Sequence, residues 1–74
     1  MDSNGRSIVF SGHVRNLGGG YCFVVTPELR FKIYARQYVF STVDWEKIRE
    51  GVNVKFEVGF NLRGPTAIRP YVVG

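Results

Sequence analysis

"VNVKFEVGF", residues 52–60, decides the fold. Val52, Val54, Phe56 and Val58 alternate with Asn53, Lys55, Glu57 and Gly59. A period of two puts the apolar set on one side of an extended chain and the polar set on the other, which is the pattern of a half-buried strand. "NLRG", residues 61–64, then reads as a tight turn, with Gly64 placed for positive φ as in a hairpin bulge. Pro65 follows at once. Proline lacks the ladder N–H, so it belongs at a strand start or on an edge. "TAIRPYVV", residues 66–73, is the return strand, with Pro70 marking an edge or a bulge.

Working back from this hairpin, residues 36–50 change character. "DWEKIREG", residues 44–51, offers Asp44 as an N-cap, acids in the first turn and Gly51 as a stop. It is long enough for a helical turn or two and too short for a packed amphipathic helix. "FKIYA", residues 31–35, alternates again, with Phe31 and Ile33 on one face and Lys32 and Tyr34 on the other. "YCFVVT", residues 21–26, is a further strand closed by Pro27, and Gly18 to Gly20 form a flexible turn before it. "SIVFSGHV", residues 7–14, carries Ile8, Phe10, Gly12 and Val14 at period two. Residues 1–6 read as a flexible polar tail and residues 7–74 as one domain.

Five strands with one irregular connection between the third and fourth predict an all-β fold. The expected architecture is a five-stranded antiparallel Greek-key barrel of the oligonucleotide-binding type, the OB-fold. Val24, Phe31, Ile33, Val54, Phe56 and Val58 are its expected core. The RNA-recognition-motif fold is set aside because it needs two amphipathic helices, and residues 36–50 supply one helical segment at most.

Composition narrows the function. In 74 residues, ten Lys and Arg face six Asp and Glu, a formal charge of +4. A basic domain favours anionic partners, nucleic acid first and acidic membrane surfaces second. Aromatic residues reach 15%, more than a thin core can hide, so some rings are expected on the surface. Cys22 is the single cysteine, which excludes an internal disulfide or a Cys-based zinc cluster and fits a reducing compartment. No signal peptide is recognised and no apolar run approaches the roughly 18 residues of a membrane span. The expected location is cytoplasmic or nuclear.

The faces of the second strand point to a site. If Val24 faces the barrel interior, Tyr21 and Phe23 lie outside. Two rings spaced by one residue on a flat strand form a stacking platform for unpaired bases. Lys32 and Tyr34 have the same spacing on the third strand, so pairing of the two strands makes a patch of rings and positive charge. The alternative is that Tyr21 and Phe23 act as lids over a thin core. Glycines before the platform remove bulk and let a backbone approach.

The chain also resembles the cold-shock domain family over residues 12–69. "GHVRNL" is similar to the family's opening Gly-x-Val-Lys-Trp-Phe, and "GGYCFV" to its first ribonucleoprotein motif, Lys-Gly-Phe-Gly-Phe-Ile. "FKIY" is similar to the second motif, Val-Phe-Val-His. "EGVNVKFEV" and "RGPTAIR" resemble Glu-Gly-x-x-Val-x-Phe-Glu-Val and Arg-Gly-Pro-Gln-Ala-x-Asn, in order and at matching spacing. The resemblance implies a five-stranded barrel that binds single-stranded RNA or DNA through exposed rings. It places Tyr21 and Phe23 at the two aromatic positions of the first motif and Tyr34 at the His position of the second. Trp45 falls where the family carries an aromatic in its long loop. The departures are Asn16 and Leu17 for Trp and Phe, Lys32 for the second-motif Phe, and Gly19 and Cys22 for Lys and Gly.

Together these readings predict a nucleic-acid site of Tyr21, Phe23, Tyr34 and Trp45 for bases, with Arg15, Lys32, Arg36 and Arg63 for phosphates. The expected partner is single-stranded RNA, ahead of DNA. A partner protein docked on a degenerate barrel is the second reading, with Tyr38 and Phe40 available to either. No membrane contact, small-molecule substrate, cofactor or metal is expected. His13 has no second ligand at metal-binding spacing, Cys22 has no neighbouring base, and no carboxylate pair or triad order appears. The chain does not read as an enzyme.

Overall fold

A computed structural model of the chain describes residues 8–73. It contains five strands: β1 (Phe10–Arg15), β2 (Tyr21–Val25), β3 (Ile33–Arg36), β4 (Asn53–Asn61) and β5 (Gly64–Val72). They close into a barrel in the order β1-β2-β3-β5-β4, with β4 returning to β1. This is the all-β five-stranded architecture that the alternation predicts. The ladders are antiparallel except at the closing pair, where β3 meets β5 in parallel through Tyr34 and Thr66. The crossover between these two strands runs through the 37–52 connection and β4. It brings the Thr66 hydroxyl to the Tyr34 carbonyl oxygen, to which it donates at 3.1 Å.

The inward positions of each strand make the core. Val14 faces Val24 and Val24 faces Ile33 across successive ladders, and Cys22 faces Ala35. Val54, Phe56 and Ala67 complete the layer from β4 and β5. Thr26, the buried polar side chain, donates its hydroxyl to the Ser11 carbonyl oxygen at 2.7 Å. A buried hydroxyl without a partner would be costly, and this bond removes that cost.

β1 serves two neighbours. Residues 13–15 pair with β2 and residues 10–13 with β4. Where the two ladders meet stands Gly12, at which a Cβ would run into the Val25 carbonyl oxygen and lie 3.1 Å from the Phe56 ring. Glycine lets two strands and the largest core ring meet at one point. β4 and β5 form the long hairpin read from the sequence, with Leu62 and Arg63 as the turn and Gly64 at φ +118°. The Asn61 side-chain oxygen accepts the Arg63 N–H at 2.8 Å and fixes that turn. Of the edge or bulge that Pro70 marks, the structure has a bulge: the β4–β5 register shifts between Lys55 and Glu57, opposite Arg69 and a buried Pro70.

The connection from β3 to β4 folds over one end of the barrel. It consists of a 3-10 turn, Gln37–Val39, and one short helix, α1 (Thr42–Lys47). Its Phe40 and Ile48 enter the core, with Val39, Trp45 and Val52 packed beside them. The helix begins earlier than Asp44 suggested. Ser41 is the N-cap, its hydroxyl oxygen accepting the Asp44 N–H at 3.1 Å. Asp44 instead sits in the first turn, where a carboxylate suits the helix dipole, and accepts the Val72 N–H at 3.2 Å. The helix is thereby tied to β5.

Two core assignments change. Phe31 lies outside β3, in the bend before Ile33, and is 44% exposed. Val58 is half-buried against the core and not inside it. Strand parity placed Phe31 inward only if the strand began there, and β3 begins at Ile33. The first strand likewise starts at Phe10, with Ile8 and Val9 exposed, while the proposed tail, residues 1–6, and Ser7 lie outside the described residues.

Candidate nucleic-acid interface

Burial of Cys22 and Val24 turns Tyr21 and Phe23 outward, because successive side chains of a strand alternate. Phe23 pairs with Tyr34 on β3 and with Arg15 on β1. Directly opposed residues share a face, so Arg15, Phe23, Tyr34 and Thr66 form one row across β1, β2, β3 and β5. Tyr21 pairs with Arg36 in the row beside it.

The rings touch. Phe23 and Tyr34 have centroids 5.4 Å apart, Tyr21 and Tyr34 5.8 Å, and Tyr21 and Phe23 6.1 Å. These are favourable aromatic contact distances in tilted and edge geometries. Tyr21 is 39% exposed, and Phe23 and Tyr34 are half-buried with their outer surfaces open. Gly18 explains part of the glycine run. A Cβ there would strike the Tyr21 ring, so the ring lies back on the turn because residue 18 has no side chain. Gly20 sits at φ +120°, and its carbonyl oxygen accepts the Gln37 N–H at 2.9 Å.

Cations border the rings on both sides. The Lys32 ammonium stands 5.9 Å from the Phe23 centroid and donates to the Asn16 side-chain oxygen at 2.7 Å. The Arg36 guanidinium is 5.6 Å from the Tyr34 ring and 6.0 Å from the Tyr38 ring. Between the hairpin and the platform runs a groove of about 330 Å³, lined by Phe23, Tyr34, Asn61, Arg63, Pro65 and Thr66. A neighbouring hollow shares Tyr34, Asn61, Arg63 and Thr66 with it and leads on to Arg36 and Tyr38. The charged residues along this track are cationic.

Of the residues singled out in the sequence, Tyr21, Phe23, Tyr34, Lys32, Arg15, Arg36 and Arg63 therefore gather on one face. Trp45 does not join the ring cluster. It is half-buried against Phe40, with centroids 5.6 Å apart, and opens into a separate hollow that also holds Arg36, Tyr38 and Glu46. The carboxylate there disfavours a phosphate. Asn61 and Thr66 lie outside the expected set; of the two loop rings open to either reading, Tyr38 joins the track and Phe40 is buried in the core. Tyr38, at 78% exposure, follows Arg36, the last residue of β3, by two positions. Asn61 and Thr66 reach the site through the parallel β3–β5 closure, which leaves no mark in local sequence.

Cys22 lies inside the barrel wall behind the platform. Burial pushes its thiol up to about 11, and the Glu50 carboxylate adds to the rise, so the sulfur is protonated and shielded. Among the described residues, no group of three or more His, Cys, Asp or Glu side chains is arranged to hold a metal ion, and no helix is long and apolar enough to cross a membrane. No protein-family model matches the chain, and no curated protein matches it significantly.

Proposed function

We propose that the domain binds single-stranded nucleic acid, RNA ahead of DNA, with bases stacked on Tyr21, Phe23 and Tyr34 and phosphates held by Arg15, Lys32, Arg36 and Arg63. One observation carries this reading: three mutually touching rings on the outer face of β2 and β3, flanked by cations and continued by a groove with Arg63 on its far wall. Rings give affinity that tolerates any base, and cations track the backbone. The resemblance to cold-shock domains supports the same reading, because it carries a five-stranded barrel and places rings at these positions. Trp45 contributes at the margin, across Arg36 and Tyr38. The domain acts as a binding module with no catalytic step.

Charge carries much of the affinity. With three or four phosphates neutralised on a single strand, log K falls against log salt with a slope near about −2 to −3. The test is a titration of isotopically labelled protein with a mixed-sequence single-stranded oligonucleotide at low and moderate salt. Shifts concentrated in Gly20–Val24, Lys32–Tyr34 and the 61–66 hairpin are expected. No shifts at millimolar oligonucleotide in low salt would overturn the reading. A protein partner would then take its place. Its specific support is a separate, mainly apolar hollow lined by Ile8, Phe10, Leu29, Phe31, Val58 and Phe60, with Glu57 among them.

A further inference from the structure

We infer that Glu50 positions Lys32 for the oligonucleotide; the inference rests on the nucleic-acid reading above. Glu50 lies in the loop between α1 and β4. One carboxylate oxygen accepts the Asn16 N–H at 3.2 Å and the other accepts the Leu17 N–H at 2.6 Å. Asn16 is held at φ +51°, a left-handed conformation that L residues seldom adopt and Asn tolerates better than most. A carboxylate spanning two consecutive N–H groups fixes that geometry with charge-assisted bonds. The base on which Glu50 stands is itself stitched to β1, by Gly51 N–H to the Val14 carbonyl at 2.8 Å and Val14 N–H to the Val52 carbonyl at 2.9 Å.

In this conformation the Asn16 side-chain oxygen meets the Lys32 ammonium at 2.7 Å, and the ammonium stands over Phe23. The chain of contacts therefore runs from Glu50 through the backbone of Asn16 and Leu17, then through the Asn16 amide, to the one lysine on the platform. A lysine held in place loses less freedom when it meets a phosphate than one that is free to swing. Glu50 is thus an anion that aids the binding of an anion.

That makes the sign of its effect decisive. Glu50→Gln raises the net charge of a basic chain, so electrostatics alone predicts tighter binding. Positioning predicts weaker binding. The experiment measures Kd for a labelled mixed-sequence single-stranded oligonucleotide, by fluorescence anisotropy at fixed ionic strength. The proteins are the wild type, Glu50→Gln, Asn16→Gly, Lys32→Ala and the two double variants with Lys32→Ala. Glycine accepts φ +51° without strain, so Asn16→Gly keeps the loop and loses the side-chain acceptor. It decides the matter if Glu50→Gln fails to fold. Each single variant is expected to weaken binding by about two- to tenfold. Neither is expected to weaken it further once Lys32 is alanine. In the free protein, the Lys32 methylene protons should lose their ring-current shift from Phe23 in both variants. Unchanged or tighter binding by Glu50→Gln and Asn16→Gly, or a full effect that persists without Lys32, would overturn the positioning role alone. A wild type that binds no oligonucleotide would overturn the nucleic-acid reading and this inference with it.

Discussion

Phe56 and Phe23 have the same side chain and opposite jobs, and truncating each to alanine separates fold from site. Phe56 is fully buried, stacks on Phe10 at 6.1 Å between centroids and fills the space beside Gly12. Removing it deletes a buried ring and leaves a cavity, at a cost of about 3–5 kcal/mol. At roughly 0.05–0.15 kcal/mol per residue, a chain of 74 residues has about 4–11 kcal/mol in all. The loss is a large share of that, and in a domain of this size each kcal/mol moves Tm by roughly 4–8 °C. A fall of at least about 12 °C is expected, or no cooperative transition at all. Phe23 has its outer surface in water, and its truncation chiefly removes two ring pairs, with Tyr21 and Tyr34, worth about 1–3 kcal/mol together. Its larger effect should be on binding, where a lost stacking partner costs about 1–3 kcal/mol, or roughly five- to 150-fold in Kd. The assay pairs thermal and urea denaturation followed by circular dichroism with oligonucleotide titration of the same proteins. Equal destabilisation by the two substitutions would refute the reasoning, because it would make Phe23 a core residue and its exposure incidental.

Three further outcomes are expected. Gly12→Ala should destabilise by about 1–3 kcal/mol, since the new Cβ meets a backbone carbonyl that cannot swing aside; a thermal melt within a degree or two of the wild type would contradict this. Lys32→Glu should weaken oligonucleotide binding at least as much as Tyr34→Ala and flatten the salt slope, which anisotropy titrations across a salt series would show. The Cys22 thiol holds its proton to about 11 in the fold against an ordinary value near 9.0. Its contribution is therefore complete below pH 9 and lost as pH rises through about 11, a fall of about 2–3 kcal/mol that a Cys22→Ala variant should lack in urea melts across this range.

Most of the barrel could be read from the sequence because a strand with one buried face must alternate, and four of the five segments do. The errors share a cause. Extending the parity of β3 backward across a bend puts Phe31 inward, and parity is meaningful only inside the strand. Residue type alone favours Asp44 as N-cap, yet Ser41 stands three positions earlier and its hydroxyl oxygen takes the Asp44 N–H, while the Asp44 carboxylate is turned to the Val72 N–H of β5. The parallel pairing of β3 with β5 joins residues 32 positions apart, Tyr34 and Thr66, and no local pattern encodes it. The Glu50–Asn16–Lys32 chain was hidden for the same reason: its links span 34 and 16 residues.

The exposure of Tyr21 and Phe23 does not by itself point to a ligand. Once Cys22 and Val24 are buried, the period of two forces their neighbours outward, and a one-residue slip would exchange the sets. What the fold leaves free is the type of residue at those outward positions. A small barrel accepts threonine, lysine or glutamate on its outer wall, and polar residues there would aid solubility. This chain instead places Tyr21 and Phe23 beside Tyr34, spares Gly18 a side chain so that the Tyr21 ring can lie back on the turn, and sets Lys32 beside the Phe23 ring and Arg36 beside the Tyr34 ring. Each choice leaves apolar ring surface facing water, which core packing does not need. A bound nucleotide would cover that surface with its base and neutralise the cations around it with its phosphate. An aliphatic protein surface would cover the rings and leave the cations unpaired. That difference is why the observations favour nucleic acid over a protein partner on this face.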